Sequence, residues 1–278
     1  MIYVRRDPAL IPEKVLRVAE RAQDELEALP PEQRAAYIEK KSHVWRGFAR
    51  YLAKMSYGKC WYSESDCVQS FKDVDHYRPK KQAKRNHTEA DDGYPWLAFS
   101  WDNFRLAAQR SNQVNRDDDT DESVRKGAWF PLMQGSKRAT WDDRCVAEER
   151  PVLLDPTNQD DVTLVEIHPD DGRAIPSLTC VGSAKQTRVT RSIELYGLNL
   201  GHLVTARKRV IREAEAQYQN LMDIVAAAHD MAAIERLIGQ MRTMTLPSAH
   251  YARAARSKLL SMGAGAFCAR PEDLIAAA

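Results

Sequence analysis

The residues with the most to offer chemically lie in the run Asp75-His76-Tyr77-Arg78-Pro79-Lys80. It sets a carboxylate beside an imidazole and follows them with a turn proline and basic side chains. That combination suits metal-assisted attack on a phosphodiester, in which a base takes a proton from water and a cation steadies the phosphate charge. Asn103 follows in Trp101-Asp102-Asn103-Phe104, and Asn112 comes after it. A lone Asp-His pair is an ordinary surface feature. The ordered set of Asp75-His76, Asn103 and Asn112 is what points to a site.

These residues need elements to position them. Ile11-Pro12-Glu13 starts a helix, with Val15, Leu16, Val18, Ala19, Ala22, Leu26 and Leu29 at helical spacing, and Pro30-Pro31 stops it. A second helix is predicted from about Glu32 to Met55, so that the pair forms an αα-hairpin ended by Gly58. Val68 to His76 reads as a strand, and Asp102 as a cap for a helix starting near Asn103. Lys80, Lys81, Lys84 and Arg85 lie in a basic loop that adjoins the Asp-His pair. With Arg78 they are the candidate phosphate contacts. The acidic run 116–122 lacks the spacing of a calcium loop. Thr163–His168 and Ala174-Ile175 flank the turn Asp170-Asp171-Gly172-Arg173 as a hairpin in a small β-rich buttress. Three helices are then predicted, at about 201–228, 230–244 and 247–261. Arg207, Lys208, Arg209 and Arg212 are expected on solvent.

Composition narrows the field. With 278 residues, 44% of them hydrophobic and 29% charged, the chain matches ordinary globular proteins. A formal charge of +2 gives no ground for nucleic-acid binding, so that argument rests on local patches. No apolar run reaches the ~20 residues of a membrane span. Five scattered cysteines (Cys60, Cys67, Cys145, Cys180, Cys268) predict reduced thiols and a cytoplasmic location.

The order Asp-His, Asn, Asn resembles the HNH nuclease motif. Its surroundings extend the likeness: Cys60-Trp61-Tyr62-Ser63-Glu64, Tyr94-Pro95-Trp96-Leu97, Lys126-Gly127, Phe130-Pro131-Leu132 and Glu149-Arg150-Pro151-Val152-Leu153-Leu154-Asp155-Pro156. Together they look like the HNH nucleases of Septu-type anti-phage systems, including those coupled to retrons, over roughly residues 57–157. The resemblance implies an α+β protein. An HNH ββα-metal core (57–135) would lie between an N-terminal helical hairpin (1–56), a β-rich buttress (136–182) and a C-terminal helical region (183–278). It implies that His76 is the general base and that Asn103 holds the His76 ring. Asp75 and Asn112 would bind Mg2+ or Mn2+, with Asn115 as a rival to Asn112.

Zinc-bearing relatives clamp the hairpin with two Cys-x-x-Cys pairs. Here the corresponding positions are Cys60, Ser63, Ala108 and Ser111, so no structural zinc is expected. The substrate implied is nucleic acid, DNA rather than RNA, and the partner an ABC-type ATPase. The chain itself has no G-x-x-x-x-G-K-[ST] loop. Two alternatives stay open: a degenerate HNH module that binds without cleaving, and a helical adaptor whose 190–262 helices are the working surface.

Overall fold

Prolines set the two ends of the N-terminal turn. Pro12 precedes α1 (Glu13–Glu27), whose Ala19, Ala22 and Leu26 recur on one stripe and are buried. Pro31 is the first residue of α2 (Pro31–Lys40), where its missing N–H costs nothing. The single helix predicted over 32–55 is instead three pieces: α2, α3 (His43–Arg46) and α4 (Ala49–Met55). At Ser42 and Gly47 the backbone tightens. Val44 N–H donates to Lys41 O, Phe48 N–H to Trp45 O and Tyr51 N–H to Phe48 O, all three residues back. Val44, Trp45, Phe48, Tyr51 and Leu52 still reach one core with Val74, Phe99, Phe104 and Leu106. The extended start of the chain is tied down by Val4 N–H, which donates to Pro156 O at 2.9 Å.

The computed structural model of the protein describes residues 1–66, 72–108, 115–116, 123–124, 126–227 and 230–270. It is a mixed α+β protein, mostly helical, with small two-stranded antiparallel sheets. The central pair is β1 (Lys72–His76) against β4 (Phe104–Ala108), with Asp75 opposite Arg105 and His76 opposite Phe104. Side chains alternate across a strand. Val74, Phe104 and Leu106 accordingly face the N-terminal helices, while Ala107 belongs to a second core with Tyr62, Tyr77, Tyr94, Phe130, Leu154 and Tyr196. β4 occupies the place where a helix was expected after Asn103. Trp101–Asn103 is only a 3-10 turn, and the alternation of Phe104 to Ala108 pairs with β1 rather than continuing a helix.

The basic stretch also holds more structure than a loop. β2 (Ala83–Lys84) pairs with β3 (Ala90–Asp91), and the turn between them is closed by Asn86 Oδ1, which accepts from Thr88 N and Glu89 N. Gly93 has φ +66°, and a Cβ there would sit 2.5 Å from Pro79 O, so only glycine lets this hairpin return against the turn after His76. Backbone pairing also joins β5 (Asn115–Arg116) to β6 (Ser123–Val124).

Beyond the centre, α5 (Gln159–Thr163) leads into β7 (Val165–Ile167) and β8 (Ala174–Pro176), with Gly172 at φ +73° in the turn read from sequence. The helices α6 (Ala184–Leu195), α7 (Gly201–Ala226), α8 (Met231–Met244) and α9 (Ala252–Ser261) follow. The last three share a core of Ala214, Leu221, Leu237, Met241, Ala255 and Leu259. Arg207 is not on solvent: it is 2% exposed and donates to Leu198 O and Gly172 O at 2.6 and 3.3 Å. Bonding these carbonyls ties α7 to the β7–β8 turn, a contact that helical periodicity alone does not reveal. Among the described residues no helix is long and apolar enough to cross a membrane.

Candidate functional site

β1 ends in His76, and strand alternation sends its ring toward the N-terminal helices. Trp45 and Phe104 meet the ring edge-on, with centroids 5.2 and 5.0 Å away. Nε2 lies 2.8 Å from the Ala98 carbonyl. A carbonyl oxygen only accepts, so Nε2 carries the hydrogen and Nδ1 keeps the free lone pair. Nδ1 is 3.4 Å from Lys80 Nζ. Burial, then the neighbouring Lys80 and Lys126 ammoniums, hold the imidazole pKa well below 6.5 against the opposing pull of the Ala98 hydrogen bond. The ring is therefore neutral at pH 7, with a proton-accepting nitrogen beside a cation.

The chain after His76 is held by Asn103, though not at the ring. Tyr77 N–H donates to Asn103 O at 2.8 Å. The Asn103 amide then clamps Arg78 from both sides: Oδ1 accepts from Arg78 N and Nδ2 donates to Arg78 O, each at 2.8 Å. The ring-holding bond expected of Asn103 belongs to Ala98, a main-chain acceptor that no sequence pattern marks. Asn103 instead fixes the turn that carries Arg78, Pro79 and Lys80.

Asp75 points the other way. Its Oδ1 accepts from Lys126 Nζ at 2.9 Å and its Oδ2 from Tyr62 Oη at 2.6 Å. Both carboxylate and ammonium are buried, at 5% and 1% side-chain exposure, and Lys126 also donates to His76 O at 2.6 Å. Tyr62 stacks on Tyr196 at 4.0 Å, and burial with the Asp75 charge raises its hydroxyl pKa well above 10. Next to Asp75, Arg105 forms a two-pronged pair with Asp155 at 2.8 and 2.5 Å. With both oxygens engaged and an ammonium already against it, Asp75 as arranged does not fit a divalent ion. Asn112 lies outside the described residues, and nothing is described of the Asn115 side chain.

At the positions expected of zinc ligands, Cys60 is a buried free thiol, Ser63 Oγ pairs with Ser65 Oγ at 2.8 Å, and Ala108 is buried in the core. Cys67 and Ser111 lie outside the described residues. Among the described residues, no three His, Cys, Asp or Glu side chains gather to hold a metal.

The basic candidates divide into two groups. Arg85 is 7% exposed and holds Asp91, Tyr94 Oη and Phe130 O. Arg78 donates to Glu149 Oε2 and Val146 O at 3.1 Å each. Both knit the core together. Lys80, Lys81 and Lys84 are half-buried. Lys81 pairs with Glu39, Lys84 lies 6.0 Å from the Trp129 ring, and Lys80 faces both His76 and the Trp45 ring. Glu149, a residue sequence reasoning quoted only within a motif, is fully buried and joins Arg78, Tyr94 and the Ala139 amide. One glutamate of the pair Glu148-Glu149, set before Arg150 and Pro151, gives no periodic signal of that role.

No protein-family model matches the chain. It is homologous to Septu protein PtuB of Bacillus mycoides (strain KBAB4), 31% identical over 175 residues. The match covers 62% of this chain and 53% of the relative. The chain thus spans about half the length of the curated relative it matches.

Proposed function

We propose that this chain is a nuclease of the HNH kind, hydrolysing phosphodiester bonds of nucleic acid, DNA rather than RNA, with His76 as general base. One observation carries the reading. The imidazole is buried, neutral and fixed with Nε2–H on the Ala98 carbonyl, so that Nδ1 is the accepting nitrogen, approached at 3.4 Å by the Lys80 ammonium. A phosphate arriving at the turn draws the Lys80 ammonium to itself and frees Nδ1. Water then loses a proton to Nδ1 as its oxygen forms a bond to phosphorus. The bond to the leaving oxygen breaks, and that oxygen takes a proton from solvent. Asn103 holds the turn in place while this happens, and Lys80 balances the growing charge.

The resemblance adds Mg2+ or Mn2+ at Asp75. The pairing of Asp75 with Lys126 and Tyr62 does not favour that, and no step here is routed through a metal. Homology to Septu protein PtuB supports placing the chain in an anti-phage defence system, with an ABC-type ATPase as the partner that restrains or licenses it. Plasmid DNA incubated with purified wild type and His76→Ala, with and without Mg2+ and with the ATPase co-purified, tests the proposal. Loss of the base is expected to slow cleavage about 10²–10⁴-fold. Equal rates for the two proteins would remove His76 from the mechanism, and binding without cleavage by wild type under every condition would favour the non-cleaving alternative.

A further inference from the structure

A cavity of about 260 Å3 opens between α2 and the turn that follows His76. Two tryptophans form its aromatic side: Trp96, 5% exposed, and Trp141, with ring centroids 6.3 Å apart and planes near perpendicular. The Arg34 guanidinium lies 3.5 Å over the Trp141 ring and donates from Nε to Leu29 O, so a planar cation is layered on a planar aromatic. Lys80, Lys81 and Arg138 bring further positive charge, against Asp91 and Asp92. The indole N–H of Trp96 is buried and has no hydrogen-bond acceptor among the described residues. Lys80 is shared: it lines the cavity and also approaches His76 Nδ1 at 3.4 Å.

These features describe a receptor for a flat, polar heterocycle attached to a phosphate. Flat π-faces and a stacked guanidinium receive unpaired bases of any sequence, and nearby cations follow the backbone. The volume falls below the roughly 300–1,000 Å3 of sites for drug-sized ligands, which suits one ring system rather than a folded peptide. Paired duplex bases cannot enter, because their faces are covered by stacking neighbours.

We infer that the Trp96–Trp141–Arg34 cavity binds one unpaired nucleobase of the substrate strand, beside the phosphate held at Lys80. This rests on the nuclease reading above and deepens it. The preferred substrate is single-stranded nucleic acid, or a strand with a base turned out of its stack.

The test uses the full chain carrying His76→Ala, so that binding is read without cutting. The probes are a short fluorescein-labelled deoxythymidine strand and an abasic strand of equal length and phosphate charge. Fluorescence anisotropy is expected to show the base-bearing strand binding about 5- to 150-fold more tightly than the abasic one. That range corresponds to base–aromatic stacking of about 1–3 kcal/mol. Trp141→Ala removes part of the wall. Ala35→Trp, on an exposed cavity-lining position of α2, fills the space without touching the core and keeps the test valid if Trp141→Ala unfolds. Either variant is expected to erase most of the difference between the two strands. If base-bearing and abasic strands bind alike, or if Ala35→Trp leaves their difference intact while wild type still cuts DNA, the cavity assignment is wrong and the nuclease reading survives. If wild type neither binds nor cuts any strand, the nuclease reading fails and the cavity assignment goes with it.

Discussion

Replacing Lys126 by methionine tests the link between the Asp75 pair and the strand that presents His76. The ammonium is 1% exposed and makes two short bonds, 2.9 Å to Asp75 Oδ1 and 2.6 Å to the His76 carbonyl. Methionine fills a similar volume but carries no charge and no donor. Asp75 would then be a buried carboxylate with, among the described residues, the Tyr62 hydroxyl as its remaining side-chain donor, and the His76 carbonyl would lose its lysine donor. Breaking a buried pair by removing one partner typically costs about 3–5 kcal/mol, far above the ~0–1 kcal/mol of a surface pair. The lower half of that range is expected, since Tyr62 still donates. Urea unfolding at pH 7 measures it, followed by circular dichroism. The Asp75→Asn, Lys126→Met double variant closes the cycle: asparagine keeps an acceptor for Tyr62 but removes the stranded charge, so most of the loss should return. If Lys126→Met unfolds within about 1 kcal/mol of wild type, or if the double variant is as unstable as the sum of the singles, the pair is not the anchor described here.

Three further outcomes follow from the same neighbourhood. His76 has a folded-state pKa below its unfolded value of about 6.5, so as pH falls below about 6.5 the unfolded chain gains a proton that the folded one refuses. Relative to His76→Gln, wild type should then lose up to about 1.4 kcal/mol of stability per pH unit, and a pH-independent gap would contradict a buried neutral ring. Asn103→Ala strands the N–H and C=O of Arg78, at about 1–3 kcal/mol for each group left without another partner, and should lower cleavage with stability. Unchanged urea midpoint and rate would show the clamp to be idle. Gly93→Ala places a methyl 2.5 Å from Pro79 O at φ +66°, and should cost at least about 1–3 kcal/mol and displace the Lys80 turn. A fully stable variant would mean the β2–β3 hairpin moves aside freely.

How far the sequence could be read depended on whether the signal was local. Helical spacing at Ala19, Ala22 and Leu26, the prolines at 30–31 and the Asp170-Asp171-Gly172 turn all encode their structure within a few residues, and the observed elements match them. Phe104–Ala108 failed as a helix because its strand identity comes from β1, about thirty residues away in sequence, and not from its own propensities. The residues Asp75, His76 and Asn103 do gather around one strand end, but their partners were hidden. Ala98 offers a main-chain oxygen, Lys126 comes from after a long intervening segment, and Trp45 is supplied by the bend at Gly47. Sequence alone marks Arg85 as a phosphate contact and Arg207 as solvent-facing, because burial of an arginine depends on carbonyls and carboxylates brought near by the fold. Asn112 lies outside the described residues, so its expected role remains a proposal.

The two-faced strand β1 bears on how this protein can be taken apart. One face delivers His76 into the packing of Trp45 and Phe104, and the other delivers Asp75 into that of Tyr62 and Lys126. A fragment cut out at the edges of the motif, near residue 57, would discard the wall behind the imidazole. The N-terminal helices are thus part of the housing of the His76 ring rather than an attached module. A binding protein that gripped only those helices would have a direct mechanical hold on the His76 ring.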